Sequence, residues 1–403
     1  MTVKKNIPFS PPDMSEEEVQ LAADAIRSGW ITTGPKTKEF ERKIAEFCGT
    51  SKAVALNSAT ASMEMTLRVL GVGPGDEVIV PAYTYTSTAS AVVHTGARPV
   101  MVDSQPGCIE MDYDLVADAI TERTKVVVPV DVAGVVCDYD KVFTVVESKK
   151  HLFRPSNDLQ RSFGRAIVMC DAAHSFGSMW HGKRTGSLAD FTCFSFHAVK
   201  NFTTAEGGAA TWVDRPFIDN EALYKQYMLY SLHGQSKDAL AKTMLGQWEY
   251  DIVGPWYKCN MTDITAAIGL AQFRRYEGML QRRHQIIEMY NDRLKDFDVT
   301  LLKHTGEHHH SNGHLYIVRL NGKDRKTRDE VIVKLAERGI AANVHFKPLP
   351  MMTGYKALGY DIADYPHAYS LFCNSLTLPL YSKLSDEDAE YVISNFTDII
   401  KDI

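Results

Sequence analysis

Asp171 and Lys200 are the residues whose types and spacing could do the most chemistry. Around them the chain runs Asp171-Ala-Ala-His174-Ser-Phe-Gly177, then Phe194-Ser195-Phe196-His197-Ala198-Val199-Lys200-Asn201, then Glu206-Gly207-Gly208. A lysine amine can form a Schiff base with a carbonyl compound. A carboxylate beside a pyridine nitrogen keeps that nitrogen protonated, so the ring can draw electrons from a neighbouring carbon. That combination is the chemistry of pyridoxal 5′-phosphate (PLP). Taken singly, the residues say little: a lysine after a strand is usually a surface residue, and an aspartate there is often a cap or turn former. His174, three residues past Asp171, could buttress that carboxylate or stack near the ring.

A phosphate needs backbone N–H donors at a helix start and small hydroxyl groups. Asn57-Ser58-Ala59-Thr60-Ala61-Ser62 follows a strand-like run and opens a helix-like one, and Ser195 adds a hydroxyl from the strand leading to Lys200. Ordinary N-capping explains Ser58 and Thr60 equally well. Tyr83 and Tyr85 share one face of an extended segment. A ring there could stack on a flat heterocycle, although core packing is the more frequent use.

The elements that must position these residues alternate. Expected strands are Ala53–Leu56, Glu77–Val80, Pro99–Val102, Val126–Val130, Ala166–Cys170, Phe191–Ser195 and Ala209–Val213, with helical stretches such as Ala61–Leu70, Ser87–His94 and Tyr113–Ile120 between the early ones. Continuous apolar strands interleaved with helices predict an α/β fold, a mostly parallel seven-stranded sheet covered on both faces. Ligands on such sheets bind beyond the carboxyl ends of the strands, where Asp171 and Lys200 fall. A long amphipathic stretch from Thr262 to about Phe297 leads to a smaller α+β unit, with strands at His314–Leu320 and Ala341–Phe346 and a helix at Arg328–Arg338. The expected domains are 14–265 and 266–403, with residues 1–13 packing on the smaller one. Lys149–Arg165 and Gly306–Gly313 read as loops.

With 44 Lys and Arg against 50 Asp and Glu, the net charge is −6, which offers nothing to nucleic acid or an anionic membrane. No apolar run approaches the ~18 residues of a spanning helix, and the first residues lack an apolar core of signal-peptide length. Seven scattered cysteines without a Cys-x-x-Cys pair fit a reducing cytoplasm. His308, His309 and His310 are consecutive and point in different directions, so no metal site is expected there.

From Gly29-Trp-Ile-Thr-Thr-Gly-Pro35 to His345, the chain resembles the DegT/DnrJ/EryC1/StrS family of PLP-dependent sugar aminotransferases, which share the fold-type I architecture. The matching pieces are Gly29–Pro35, Asn57–Ala61, Gly73-Pro-Gly-Asp-Glu-Val-Ile-Val-Pro81, Asp171–His174, Ser195–Gly208 and Lys258-Cys-Asn-Met-Thr-Asp263. The resemblance implies Lys200 as the Schiff-base lysine and Asp171 as the acid at the pyridine nitrogen. It implies Thr60, Ala61 and Ser195 at the phosphate, joined by Ser58 and Ala59, and Tyr85 stacked on the cofactor beside His174. Asn260 matches an asparagine reaching the phosphate from the neighbouring subunit, hence a homodimer with shared active sites. Trp30, Thr32, Thr33 and His345 fall on the nucleotide-sugar side.

Members acting at the sugar C4 position usually carry histidine three residues before the lysine, as His197 stands here; many C3-specific members carry tyrosine. The implied reaction is amination of a 4-keto-6-deoxy nucleotide sugar, with L-glutamate as donor and 2-oxoglutarate released, for surface glycan synthesis. The alternatives are a C3-specific enzyme and a non-catalytic regulatory member; the family's dehydratases typically replace the lysine by histidine. Two departures touch the substrate contacts: Asp131 replaces a common histidine in Pro129-Val130-Asp131-Val132-Ala133-Gly134, and the Lys149–Arg165 segment is longer than usual.

Overall fold

The computed structural model describes residues 5–236 and 249–403. Its strands are β1 (Ala53–Leu56), β2 (Glu77–Pro81), β3 (Arg98–Val102), β4 (Thr124–Val127), β5 (Ile167–Asp171), β6 (Met179–Trp180), β7 (Lys183–Arg184), β8 (Phe191–Ser195) and β9 (Gly208–Trp212), followed by β10 (Val299–Leu301), β11 (His309–His310), β12 (Tyr316–Leu320) and β13 (Ser375–Leu378). The large sheet has the order β1-β9-β8-β5-β4-β2-β3, with β9 antiparallel to both of its neighbours and the other pairings parallel. It is the expected α/β architecture. Alternate residues of each strand feed two cores: Val54, Leu56, Val78 and Val80 face one, and Ala53, Ala55 and Ile79 face the other. That two-sided burial is why these strands read as continuous apolar runs.

A second antiparallel sheet, β10-β12-β13, packs in a third core with Leu335, Phe396 and the last turns of the helix Asp263–Leu294, from Ile286 to Leu294. Thr262 caps that helix by accepting from Thr265 N. The N-terminal segment lies against the same region: Ile7 N donates to Gly339 O at 2.8 Å, and Ala341 N donates to Ile7 O at 3.0 Å.

Four local expectations need correction. The strand expected at Val126–Val130 is β4, ending at Val127, because Pro129 offers no N–H to the ladder. Ala341–Phe346 is not a strand; it makes one isolated bridge, Asn343 to Thr377. Within Lys149–Arg165, a 3₁₀ turn (Lys150–Leu152) and a helix (Asp158–Phe163) form, the latter capped by Asn157 accepting from Gln160 N. Gly306–Gly313 is not a plain loop, since β11 pairs with β6, His309 opposite Trp180. A two-residue strand with so distant a partner leaves no period in the sequence.

Candidate active site

The carboxyl ends of β5 and β8 place Asp171 and Ser195 on one edge of the large sheet, and the turn after β8 carries His197 and Lys200. There they line a cavity of about 430 Å³ together with Ser58, Ala59, Thr60, Tyr85, His174 and His345. The structure thus gathers ten of the sequence-predicted residues. Trp30, Thr32, Thr33, Ala61 and Asn260 do not line it. Thr33 and Asn260 meet elsewhere, with Asn260 Nδ2 donating to Thr33 Oγ1 at 2.6 Å. Thr33 Oγ1 donates to Met261 O, and Thr32 O accepts from Asp263 N.

Ser58 is the N-cap of the helix Ala59–Val69, and its Oγ accepts from Ala61 N at 3.1 Å. Capping therefore uses the Ala61 N–H and leaves the first turn, Ala59 and Thr60, facing the cavity. Gly208 makes this approach possible. A Cβ there would lie 2.3 to 2.6 Å from the backbone of Ser58 and Ala59, so only glycine lets β9 pass beneath the helix start. The helix start, the Ser58 and Thr60 hydroxyls and Ser195 form a donor set that suits a phosphate.

Asp171 is buried, and burial raises its carboxyl above the usual carboxylate range. Its neighbours oppose that. Thr88 Oγ1 donates to Oδ2 at 2.7 Å, and Ala173 N donates to Oδ1 at 3.1 Å. Each oxygen thus holds one donor and keeps a lone pair for another, such as a ring N–H. Lys200 is shifted the other way: desolvation lowers its amine to about 8, against the opposing charge of Asp171. A far larger share of the amine is neutral near pH 8 than for a solvated lysine.

Three imidazoles complete the wall, His314 buried and His174 and His345 partly buried. His174 Nδ1 accepts from Ala133 N at 3.2 Å, which puts the ring proton on Nε2. His314 Nδ1 meets Asn201 Oδ1 at 2.8 Å, and the Asn201 amide is oriented by its donation to Asn312 O. His314 is therefore the donor at Nδ1, and this bond anchors the residue next to Lys200. Burial, aided by the Lys200 charge, holds His174 and His314 well below their ordinary range and His345 at about 4. All three are neutral near pH 7. His197 is half exposed, 3.6 Å from Glu206.

The carboxylate's buttress is Thr88, not His174, which instead stacks against Phe346 and meets the His314 ring at a centroid distance of 4.3 Å. Sequence reasoning also missed Phe9, Thr84, Glu206, His314 and Phe346 on the cavity wall. Phe9 comes from the N-terminal segment and stacks on His345 at 5.5 Å. Only Glu206 carried a signal, lying in the quoted Glu206-Gly207-Gly208 run. Asp131 points away from the cavity. It is buried, accepts from Ser175 Oγ and Cys137 N, and is raised to about 6 by burial.

The model of the DegT/DnrJ/EryC1/StrS aminotransferase family matches residues 12–397. The chain is 37% identical over 407 residues to the spore coat polysaccharide biosynthesis protein SpsC of Bacillus subtilis, covering 100% of this chain and 99% of that protein. Among solved structures, the PLP-form of "Putative sugar aminotransferase Spr1654" from Streptococcus pneumoniae is 54% identical with a TM-score of 0.96, covering 99% of both chains. Its PMP-form superimposes equally well. PseC of Helicobacter pylori, an aminotransferase involved in the biosynthesis of pseudoaminic acid, is 25% identical with a TM-score of 0.87, covering 99% of this chain and 100% of that one.

Proposed function

The chain belongs to the DegT/DnrJ/EryC1/StrS aminotransferase family, and on that premise we propose that it transfers an amino group from L-glutamate to C4 of a 4-keto nucleotide sugar, with PLP as cofactor, in polysaccharide biosynthesis. The observation that carries this reading is the convergence of Lys200, Asp171 and a helix start with small hydroxyls on one cavity. Spr1654 in its PLP- and PMP-forms supports the cofactor, SpsC the polysaccharide setting and PseC the amino-sugar product.

When bound, PLP supplies a carbonyl carbon that takes up the amino group and a protonated ring that withdraws electrons from the carbon losing its proton. Ser58, Ala59, Thr60 and Ser195 would hold the phosphate, and Tyr85 and His174 would lie beside the ring. Asp171 would accept the ring N–H and keep that proton in place. Lys200 would hold the cofactor through its Nζ, and the same amine, when free, would serve as the base and acid that moves the proton lost by the donor Cα. An amine near 8 suits both roles, since it takes and gives a proton close to neutral pH. His197 faces the keto-sugar end, with His345 on the same wall.

Asn260 enters this proposal as a group that serves the phosphate of a second copy, in a homodimer with shared active sites, and Trp30, Thr32 and Thr33 enter it as nucleotide-sugar contacts. A division at 265/266 and a cytoplasmic location belong to the same reading. Among the described residues no helix is long and apolar enough to cross a membrane.

The test is incubation with glutamate and a panel of 4-keto and 3-keto nucleotide sugars, followed by mass spectrometry and NMR of the product. Amination at C4 with release of 2-oxoglutarate is expected. Amination at C3 alone overturns the C4 assignment, and no amination of any sugar overturns the substrate class.

A further inference from the structure

Threonines inside helices usually turn their hydroxyl back onto the carbonyl one turn earlier, as Thr66 does onto Ser62 O at 2.7 Å and Thr144 onto Asp140 O at 2.7 Å. Thr88, in the first turn of the helix Thr86–Thr95, does not. Its hydroxyl lies 2.7 Å from Asp171 Oδ2 and 2.9 Å from Thr84 Oγ1, and all three side chains are buried. An ionised carboxylate can only accept, so the single Thr88 proton goes to Asp171. The Thr84–Thr88 bond must then run from the Thr84 hydroxyl to Thr88. Both protons point toward the carboxylate, and each bond polarises the next.

We propose that Thr84 and Thr88 form a one-way hydroxyl relay that holds Asp171 ionised and turned toward the ring nitrogen of the bound cofactor. The proposal rests on the reading of this cavity as a PLP site. Thr88 is a positioning residue; it lies behind Asp171, whereas Thr84 lines the cavity. Protonation of Asp171 would replace the charge-assisted bond from Thr88 by a weaker one to a neutral carboxyl, so the relay opposes protonation. Ala173 N secures the other oxygen at 3.1 Å. The titratable groups that face Asp171 are Lys200 and the thiols of Cys170 and Cys193, both raised by burial, Cys193 to about 12. Asp131 is tied to the Asp171 backbone through its N–H, while its carboxyl faces Ser175.

The experiment measures retention of PLP by the holoenzyme, through the visible absorption of lysine-bound cofactor, across pH 4 to 9 for wild type, Thr88→Val, Thr88→Ser and Thr84→Val. Removing one hydrogen bond to a charged acceptor moves the acid limb of retention up by about one pH unit in Thr88→Val. Thr88→Ser restores the wild-type limb, and Thr84→Val shifts it in the same direction by less. Circular dichroism and thermal melting verify the fold, and if Thr88→Val does not fold, the Thr84→Val and Thr88→Ser limbs decide. An unshifted limb in folded Thr88→Val, or Thr88→Ser behaving like the valine variant, overturns the relay while leaving the PLP reading intact. Wild-type protein that never develops the visible band overturns that reading and the relay with it.

Discussion

Two buried acids at opposite ends of the large sheet, Asp190 and Asp171, are treated in opposite ways. At the amino-terminal edge, Asp190 precedes β8 and is saturated: Arg165 donates to both of its oxygens at 2.7 and 3.0 Å, Arg215 donates at 2.9 Å and Val168 N at 2.9 Å. Glu77, at the start of β2, takes Arg123 and the Thr121 hydroxyl. At the carboxyl edge, Asp171 has one donor per oxygen and no cation in hydrogen-bond contact. Lys200, near it, carries an amine lowered by burial. Saturated acids fasten strands together, whereas an acid with spare acceptor capacity facing a cavity is ready for a ligand.

The comparison breaks most sharply under paired substitutions. Lys200→Ala lowers glutamate-dependent transamination by roughly 10³-fold or more and abolishes the visible band with PLP, with the melting transition unchanged. Asp190→Asn does the reverse: it costs about 3–5 kcal/mol of stability in denaturant titration, while folded molecules retain the band and their turnover. Loss of turnover in folded Asp190→Asn would erase the distinction between the two ends.

A smaller effect sharpens the carboxyl edge. Only the neutral amine attacks a carbonyl, so PLP capture by the apo-protein should rise about tenfold per pH unit up to about pH 8 and level off above it. Stopped-flow absorbance reads this directly. A rise continuing toward pH 10 marks Lys200 as an ordinary solvated lysine.

The smallest effect concerns Asp131, a buried acid at the carboxyl edge that faces away from the cavity. Its folded-state value of about 6 lies above the unfolded value near 3.8, so the folded chain keeps a proton that the unfolded chain has lost. Its contribution to stability is therefore greatest below pH 4 and falls by about 2–3 kcal/mol as pH rises to about 6. Chemical denaturation of Asp131→Asn at pH 4, 5 and 6 should show that decline flattened. An unchanged slope assigns the pH dependence to other groups.

The contrast also explains what could be read in advance. Asp171 and Lys200 follow apolar strand runs, and a mostly parallel sheet puts its ligands at one edge, so their convergence was legible. Thr88 and His314 were not. Thr88 belongs to a run of Thr and Tyr in which nothing marks one hydroxyl, and helix packing alone aims it at Asp171. His314 reaches the lysine loop because Asn312 and Asn201 lock a turn far along the chain. The short strand His309–His310 stayed hidden because its partner is β6. Asp131 stood out as a departure from the family's usual histidine, yet the sequence could not say that it faces Ser175 and Cys137 instead of the cavity.

Reduction of the PLP-loaded protein with borohydride, followed by peptide mass spectrometry, tests the central claim most directly. The account predicts that the reduced cofactor is fixed on Lys200 and on no other lysine. Labelling of Lys258 or any other lysine in place of Lys200, or no fixed label at all, would contradict it.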